Sequence, residues 1–196
     1  MKRAFTLFLL LFLSWAPASL AVVLDPEQVI RPELLTQALN ALQDEGGEAG
    51  ETGRVVIVDY SRHSREERLY VVNLETGTVT AYRAAHGLGS DPDHDGYLDS
   101  FSSVPESQAS PQGAFRIAEA YHGKHGRSVR LDGLDDTNQT ARSRAIVIHA
   151  ASYAEPDHLA RYGKLGRSNG CIVFSEADLA TFLEDVPEGT FLFIGK

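Results

Sequence analysis

Eight short apolar segments, several of them rich in β-branched residues, follow residue 53 and constrain the fold more than any other feature. They are residues 54–60, 68–74, 78–87, 113–118, 128–131, 145–150, 171–174 and 190–195. Segments of this length, separated by turns and polar loops, are typical of β-strands. The chain has a single cysteine, so no internal disulfide can hold these strands together. We therefore expect a mainly β domain, a sandwich or an open barrel with a few peripheral helices.

Helical spacing is found before the strands and again near the end of the sequence. Leu35, Ala38, Leu39 and Leu42 recur at intervals of three and four residues, which predicts an amphipathic helix. A second helix is predicted to begin after Ser175, whose hydroxyl would cap it. We divide the chain into an N-terminal helix with a polar hinge, residues 22–53, and a main domain, residues 54–196.

The first 21 residues have the three-part layout of a secretory signal peptide. Lys2 and Arg3 precede an apolar run over residues 4–15, and a small-x-small cleavage site ends at Ala21. The run is shorter than the roughly 20 residues that a membrane-spanning helix needs. We expect cleavage after Ala21, a periplasmic or secreted product, and no stable membrane insertion of that product.

The acidic composition narrows the choice of partners. The chain has 27 acidic and 18 basic residues and a formal net charge of −9. Because the predicted signal peptide carries two cations and no acid, its removal takes the charge from −9 to −11. A surface of this sign disfavours nucleic acid and anionic lipid as partners.

The lone cysteine lies beside a long loop whose other end carries a histidine. Cys171 follows Gly170 at the start of one predicted strand, and His149 lies at the end of the strand before the loop over residues 151–168. A neighbouring imidazole is the usual means of activating a thiol near neutral pH. A buried free cysteine and a polar strand end are equally consistent with this spacing, so the spacing alone leaves both interpretations open.

Several motifs, in order along the chain, resemble one enzyme family. The stretches "SPQGAFRI", "YHGKHGRSVRLDGLDDTN", "RAIVIHAASY" and "GRSNGC" are similar to those of the L,D-transpeptidase catalytic domain, in particular its murein subgroup with a YkuD-type domain. The likeness runs from about Val55 to Ile194 and preserves the order of the motifs. The resemblance implies an L,D-transpeptidase-like β-sandwich or open barrel, and it makes residues 54–196 the catalytic domain.

The resemblance also implies roles for individual residues. Cys171 would be the nucleophile and His149 the base, while the main-chain carbonyl of Ser168 would orient the imidazole. The backbone around Gly170 and Cys171 would form the oxyanion hole. The implied substrate is the meso-diaminopimelate-containing stem peptide of murein, attacked at the L-to-D bond with release of D-alanine. An amine of another stem, or water, would then take the acyl group.

The sequence departs from the family pattern on both sides of the cysteine. Asn169 stands where many relatives carry histidine or an aromatic residue, and no arginine follows Arg167, although one commonly follows the cysteine in the wider family. The negative charge of the substrate must then be neutralised by other arginines, such as Arg144, Arg161 or Arg167. The expected substrate-binding residues are Arg144, Tyr153, Arg167, Asn169 and His86. We expect no cofactor and a monomeric protein.

Two further motifs imitate metal sites. "DPDHDGYLD" over residues 91–99 places acidic residues like those of a calcium loop, but Ser102 occupies the twelfth position, where a bidentate glutamate is expected. His122 and His125 have a spacing that could bind zinc, but no third ligand is evident nearby. We predict an acidic solvated loop, a polar turn and no metal.

Four other functions are alternatives to a cysteine L,D-transpeptidase. Papain-like proteases place the cysteine before the histidine, and sortases need an arginine soon after the cysteine; this sequence has neither feature. An inactive murein-binding module is disfavoured by the intact His149, Ser168, Gly170 and Cys171. Two alternatives stay open: a carboxypeptidase or endopeptidase of the same family, with water as the acceptor, and the inactive module, which Asn169 leaves possible.

Overall fold

The computed structural model describes residues 22–46 and 52–196, and its strands form one mixed sheet of eight strands. The strands are β1 Arg54–Asp59, β2 Leu69–Asn73, β3 Val79–Tyr82, β4 Gly113–Gly123, β5 Gly126–Gly133, β6 Val147–Ala150, β7 Ile172–Phe174 and β8 Phe191–Gly195. Their order in the sheet is β3-β2-β1-β8-β4-β5-β6-β7. The eight predicted segments are thus the eight strands, and the mainly β class is confirmed. The predicted signal peptide and residues 47–51 of the predicted hinge lie outside the described residues.

The last strand lies in the middle of the sheet. β8 is parallel to β1 on one side and antiparallel to β4 on the other. In β1, Val56 and Val58 pack into one hydrophobic core, while Val55 and Ile57 pack into a second core on the opposite face. A strand buried on both faces loses the alternation of apolar and polar residues, which explains the unbroken apolar run of β1.

In the part of the chain that the structure describes, three α-helices lie outside the sheet: α1 Pro32–Asp44, α2 Pro156–Tyr162 and α3 Glu176–Asp185. α1 buries Leu34, Ala38 and Leu42, and the hydroxyl of Ser175 accepts from the Asp178 amide at 3.1 Å, as predicted for α3. α2 was not predicted, because none of its residues is buried and an exposed helix has no apolar periodicity. Among the described residues, no helix is long and apolar enough to cross a membrane.

The sheet is open, but its two edges meet locally. The chain just after β3 contacts β7, where the Ala85 amide donates to the Val173 carbonyl at 2.8 Å. Two residues further on, Gly87 bridges to Ser168 in a parallel sense. These contacts are isolated bridges rather than a ladder, so the architecture is an open barrel. They fix the segment that precedes Cys171 against the opposite edge.

The β4–β5 hairpin is longer than the sequence suggested. β4 continues to Gly123 rather than ending at residue 118, and Lys124 and His125 form the two-residue tip before β5. The end of β4 is polar and largely exposed, so it carries no hydrophobic signal. Its length extends the hairpin tip as far as the end of β6.

Candidate active site

Parallel pairing of β6 with β7 brings His149 and Cys171 together. His149 pairs with Val173, and residues two apart on a strand point to the same face. Cys171 lies two residues before Val173. It therefore lies on the same face of the sheet as His149, diagonally across from it at the start of the neighbouring strand. Cys171 and Val173 also pack in one small apolar cluster. The two residues that the sequence singled out thus share one site.

Both side chains line a single cavity of about 450 Å³. The residues lining this cavity, hereafter the thiol pocket, are Tyr121, Lys124, His125, Arg144, Ala145, Val147, His149, Tyr153, Arg167, Ser168, Asn169 and Cys171. They come from the β4–β5 hairpin, both ends of β6 and the segment before β7. Three of them are cationic and none is acidic, in a chain with an excess of acidic residues. The pocket therefore has the charge to receive an anionic ligand.

The thiol of Cys171 is hydrogen-bonded to the main chain. Its sulfur lies 3.6 Å from the carbonyl oxygen of Ala145, to which it donates. Burial raises the pKa of the Cys171 thiol, while the Val147 amide and the charges of Lys124 and Arg144 act in the opposite direction. Because burial prevails, the thiol needs a base before it can attack.

His149 is a suitable base. Its side chain is buried at 2 % exposure, and its Nδ1 lies 2.9 Å from the carbonyl oxygen of Ala150. Burial lowers the pKa of His149 below 6.5; the Ala150 carbonyl opposes this, and the charges of His125 and Lys124 add to it. The imidazole is therefore neutral near pH 7 and can accept a proton from the thiol.

The turn before Cys171 is held by the hydroxyl of Ser168. That hydroxyl accepts from the Gly170 amide at 3.1 Å and donates to the Cys171 carbonyl at 2.8 Å. Gly170 has φ 113°, and a Cβ there would lie 2.6 Å from the Ala109 carbonyl oxygen. Glycine is required for both reasons, and the turn fixes the main chain of Cys171.

One contact implied by the resemblance is corrected by the structure. The Ser168 carbonyl was expected to orient the imidazole, but it accepts from the Leu88 amide at 2.8 Å. Because Ser168 forms a parallel bridge with Gly87, its amide and its carbonyl both form hydrogen bonds with the residues beside Gly87. The carbonyl near Nδ1 of His149 belongs to Ala150 instead. Ser168 acts on the site through its hydroxyl.

Four of the five expected substrate-binding residues line the thiol pocket: Arg144, Tyr153, Arg167 and Asn169. Arg144 donates to the carbonyls of Ser102 and Ala109 at 2.8 and 2.7 Å, which anchors the preceding loop. Arg144 and Asn169 also line a smaller adjoining cavity, together with Glu106 and Gln108. Arg161, the third arginine considered, lies over Tyr162 on α2 and not in the pocket lining.

The fifth expected residue, His86, is placed elsewhere. It is 1 % exposed and outside the pocket lining, between Nη2 of Arg68 at 2.7 Å and the carboxylate of Asp91 at 3.1 Å. The pKa of His86 is lowered to about 2, chiefly by burial and further by the positive charges of Arg68 and Arg167. His86 is therefore a neutral side chain that forms hydrogen bonds with two buried charged groups. It was expected to contact the substrate, but the structure places it outside the pocket.

In the acidic loop over residues 91–99, the first carboxylate, that of Asp91, accepts hydrogen bonds from groups within the protein. Asp91 accepts from the amides of Asp95 and Gly96 at 3.0 and 3.2 Å, and from His86. Ligand atoms of Asp91, Asp93 and Asp95 lie within 4.8 Å of one another. The Asp91 contacts are those of an ordered turn, so the expectation of no metal stays a prediction.

Five residues of the pocket lining were not anticipated: Ala145 and Val147 at the start of β6, and Tyr121, Lys124 and His125 from the β4–β5 hairpin. Sequence reasoning treated this stretch as a polar turn, although it lies within one of the motifs that carry the family resemblance. Its place over the site depends on β5 pairing with β6. Local sequence does not specify that pairing.

The fold and site define a mainly β protein with a cysteine and a histidine on adjacent strand ends. Its sequence matches the L,D-transpeptidase catalytic domain over residues 26–194. Because the match spans most of the chain, the protein belongs to the L,D-transpeptidase catalytic domain family. The match includes α1 as well as the sheet.

Solved structures of the same family are similar at low identity. An L,D-transpeptidase from Mycobacterium smegmatis is 15% identical, with a TM-score of 0.45, and the match covers 74% of this chain and 59% of that chain. L,D-transpeptidase 3 from Mycobacterium tuberculosis is 15% identical, with a TM-score of 0.47 and coverages of 74% and 61%. This chain thus spans less than two thirds of the length of either protein. No curated protein matches the sequence.

Proposed function

We propose that this protein is an exported cysteine L,D-transpeptidase that acts on meso-diaminopimelate-containing stem peptides of peptidoglycan. The observation that carries the proposal is the β6–β7 pairing, which sets His149 and Cys171 on one face of the thiol pocket. Residues 1–21 serve as the signal peptide, and the mature protein acts as a monomer in the periplasm or outside the cell. It uses no cofactor.

The reaction begins with proton transfer from the Cys171 thiol to Nε2 of His149. Sulfur attacks the carbonyl carbon of the L-to-D bond, and the main-chain amide of Cys171 stabilises the oxyanion. The Gly170 amide is already engaged by Ser168, so we assign it a supporting role. The carbon–nitrogen bond breaks, His149 returns the proton to the departing D-alanine amine, and a thioester remains on Cys171.

The second half of the reaction releases the acyl group. An amine of a second stem attacks the thioester carbon, forms the new amide bond and loses a proton to His149, which returns it to the Cys171 sulfur. The cationic side chains of the thiol pocket bind the carboxylates of the stem peptide; they are those of Lys124, Arg144 and Arg167. Their charge, in a pocket without acidic lining, supports an acidic peptide as substrate.

The test is digestion of purified murein followed by chromatography of the muropeptides. New cross-links made at a diaminopimelate donor, with release of D-alanine, are the expected product. Release of D-alanine without cross-links would instead assign the carboxypeptidase alternative, with water as acceptor. Cys171→Ala and Cys171→Ser should both abolish turnover while circular dichroism stays unchanged. Turnover by Cys171→Ala at the wild-type rate would refute the proposal.

A carbapenem distinguishes an active thiol from an inert binding module. The expected result is a mass increase of the intact protein equal to that of the carbapenem, absent in Cys171→Ala. An unmodified wild-type protein that still binds murein would favour the binding module. Export is tested separately, since N-terminal sequencing of the secreted protein should begin at Val22.

A further inference from the structure

The tip of the β4–β5 hairpin covers His149. The imidazole of His125 stacks on that of His149, with ring centroids 4.2 Å apart and planes inclined by 20°. His125 is itself exposed, whereas His149 is buried. One face of the His149 imidazole is therefore shielded by a second ring, which belongs to the β4–β5 hairpin beside β6 in the sheet.

His125 also separates two cavities. One is the thiol pocket, and the other is a cavity of about 180 Å³ between the hairpin and α3, lined in part by Arg127, Glu176 and Leu183. His125 is the one residue common to the two linings. Shortening its side chain would connect the cavities and admit water to the ring of His149.

We propose that His125 is a positioning residue for the proposed acyl transfer: its ring covers His149, excludes water from that face and holds the imidazole plane beside Cys171. The inference rests on the proposed function for its consequence in catalysis. The stacking itself does not depend on that function. His125 acts through His149 and makes no bond to the reacting atoms.

The surroundings of His149 indicate what the loss of this ring would do. The charged and titratable groups of the thiol pocket are Tyr121, Lys124 and His125 from the hairpin, Arg144 before β6, Tyr153 after it, and Arg167 and Cys171 before β7. Burial is the main cause that lowers the pKa of His149, and the charges of His125 and Lys124 contribute further. Removing the ring weakens both effects, so the pKa of His149 should rise toward its ordinary value.

Two kinds of substitution distinguish cover from charge. His125→Ala removes the ring and the charge, whereas His125→Phe keeps an aromatic cover and removes only the charge. Since burial is the larger cause, His125→Phe should resemble the wild type and His125→Ala should not. His125→Asn, which also removes the ring, should behave like His125→Ala and serves as the second variant if alanine impairs folding.

The experiment is an NMR titration of the histidine ring protons in the mature protein, with His149→Gln to assign the signal. In His125→Ala the midpoint of His149 should move to higher pH, and its ring protons should move downfield because the ring current of the stacked partner is lost. In His125→Phe both should stay near wild type. An unchanged midpoint and an unchanged shift in both His125→Ala and His125→Asn would overturn the proposal.

A parallel measurement connects the titration to chemistry. The pH dependence of carbapenem acylation should move in His125→Ala by the same amount as the NMR midpoint; an acylation profile that did not move would refute the positioning role. The titration requires no substrate, so it remains informative if murein turnover fails. Failure of the proposed function and failure of this inference are thus separate results.

Discussion

Nδ1 of His149 lies 2.9 Å from the main-chain carbonyl oxygen of Ala150, the next residue in the chain. A carbonyl oxygen can only accept, so Nδ1 carries the hydrogen and Nε2 retains a lone pair. The strand end therefore selects the tautomer that a general base requires, without a carboxylate partner.

Replacing His149 should leave a thiol that reacts slowly near pH 7 and faster in alkaline solution. We expect His149→Ala to reduce the rate of murein turnover about 10²- to 10⁴-fold near pH 7, the range typical of a lost general base. Activity should recover partly as pH rises, because burial raises the pKa of the Cys171 thiol. Turnover measured against pH, with circular dichroism as the folding control, provides the test. Wild-type activity at neutral pH would contradict the role of His149.

The wild-type enzyme should keep its activity in mildly acidic solution. The pKa of His149 is lowered from 6.5, chiefly by burial, so the imidazole stays neutral at pH values where an exposed histidine would be protonated. As pH falls through this lowered pKa, His149 becomes protonated and can no longer accept a proton. The acid limb of kcat/KM should therefore have its midpoint below pH 6.5. A midpoint above that value would contradict the proposed environment of the base.

Lys124 should contribute mainly to the binding of an acidic substrate, since its charge is only a minor cause of the pKa shifts of Cys171 and His149. It lines the thiol pocket at the hairpin tip, and an exposed cation of this kind contributes about 0.2–1 kcal/mol to an ion pair. Lys124→Ala should raise KM by up to about fivefold with little change in kcat, and the rise should shrink at high salt. Arg127→Ala is the matched control, because Arg127 has the same charge on the same hairpin but lines the neighbouring cavity. Equal effects of the two variants would exclude a specific role for Lys124.

The hydrogen bonds between Arg31, in the N-terminal segment, and the buried carboxylate of Asp59, in β1, should stabilise the fold by an amount that depends on pH. Arg31 donates to this carboxylate at 2.8 and 3.2 Å, and Ser61 donates through its amide and hydroxyl. Burial alone would raise the pKa of Asp59, but the hydrogen bonds from Arg31 and Ser61 outweigh it, and the pKa lies below 3.8. The stabilisation is therefore present above the unfolded-state pKa and is lost as pH falls through the folded-state pKa.

We expect Asp59→Asn to lower the free energy of unfolding by about 1–3 kcal/mol at pH 7, because it leaves buried donors with a poorer acceptor. The difference from wild type should shrink in strongly acidic solution. Glu66→Gln, in the half-buried surface pair with Arg62, should change stability by less than about 1 kcal/mol. Urea denaturation at several pH values would measure both. A constant difference at all pH values would show that the charge of Asp59 is not the cause.

Calcium should not affect the stability of the fold. In the loop over residues 91–99, Asp91 already accepts three hydrogen bonds from within the protein, and the twelfth position is Ser102 rather than a bidentate glutamate. The melting temperature should be the same in millimolar calcium and in chelator. A marked rise with calcium, abolished by Asp93→Asn, would show a site that we do not expect.

The sequence by itself determined most of the strands, two of the three α-helices that the structure describes, and the residue types at their ends. The β-branched segments, the cap at Ser175 and the glycine before Cys171 are local features, because each depends on residues within one turn or one strand. For the same reason His149 and Cys171 could be assigned to the two ends of one loop. Motif order along the chain then indicated the family.

Only the tertiary structure decided which distant residues meet. Ser168 was expected to use its carbonyl on the imidazole, but the bridge to Gly87 directs that carbonyl to Leu88. His86 was expected in the pocket, but it is buried between Arg68 and Asp91. The stacking of His125 on His149 requires β5 to pair with β6. Such pairings are set by the order of strands in the sheet and by burial of its two faces, and neither is encoded in a local pattern of residues.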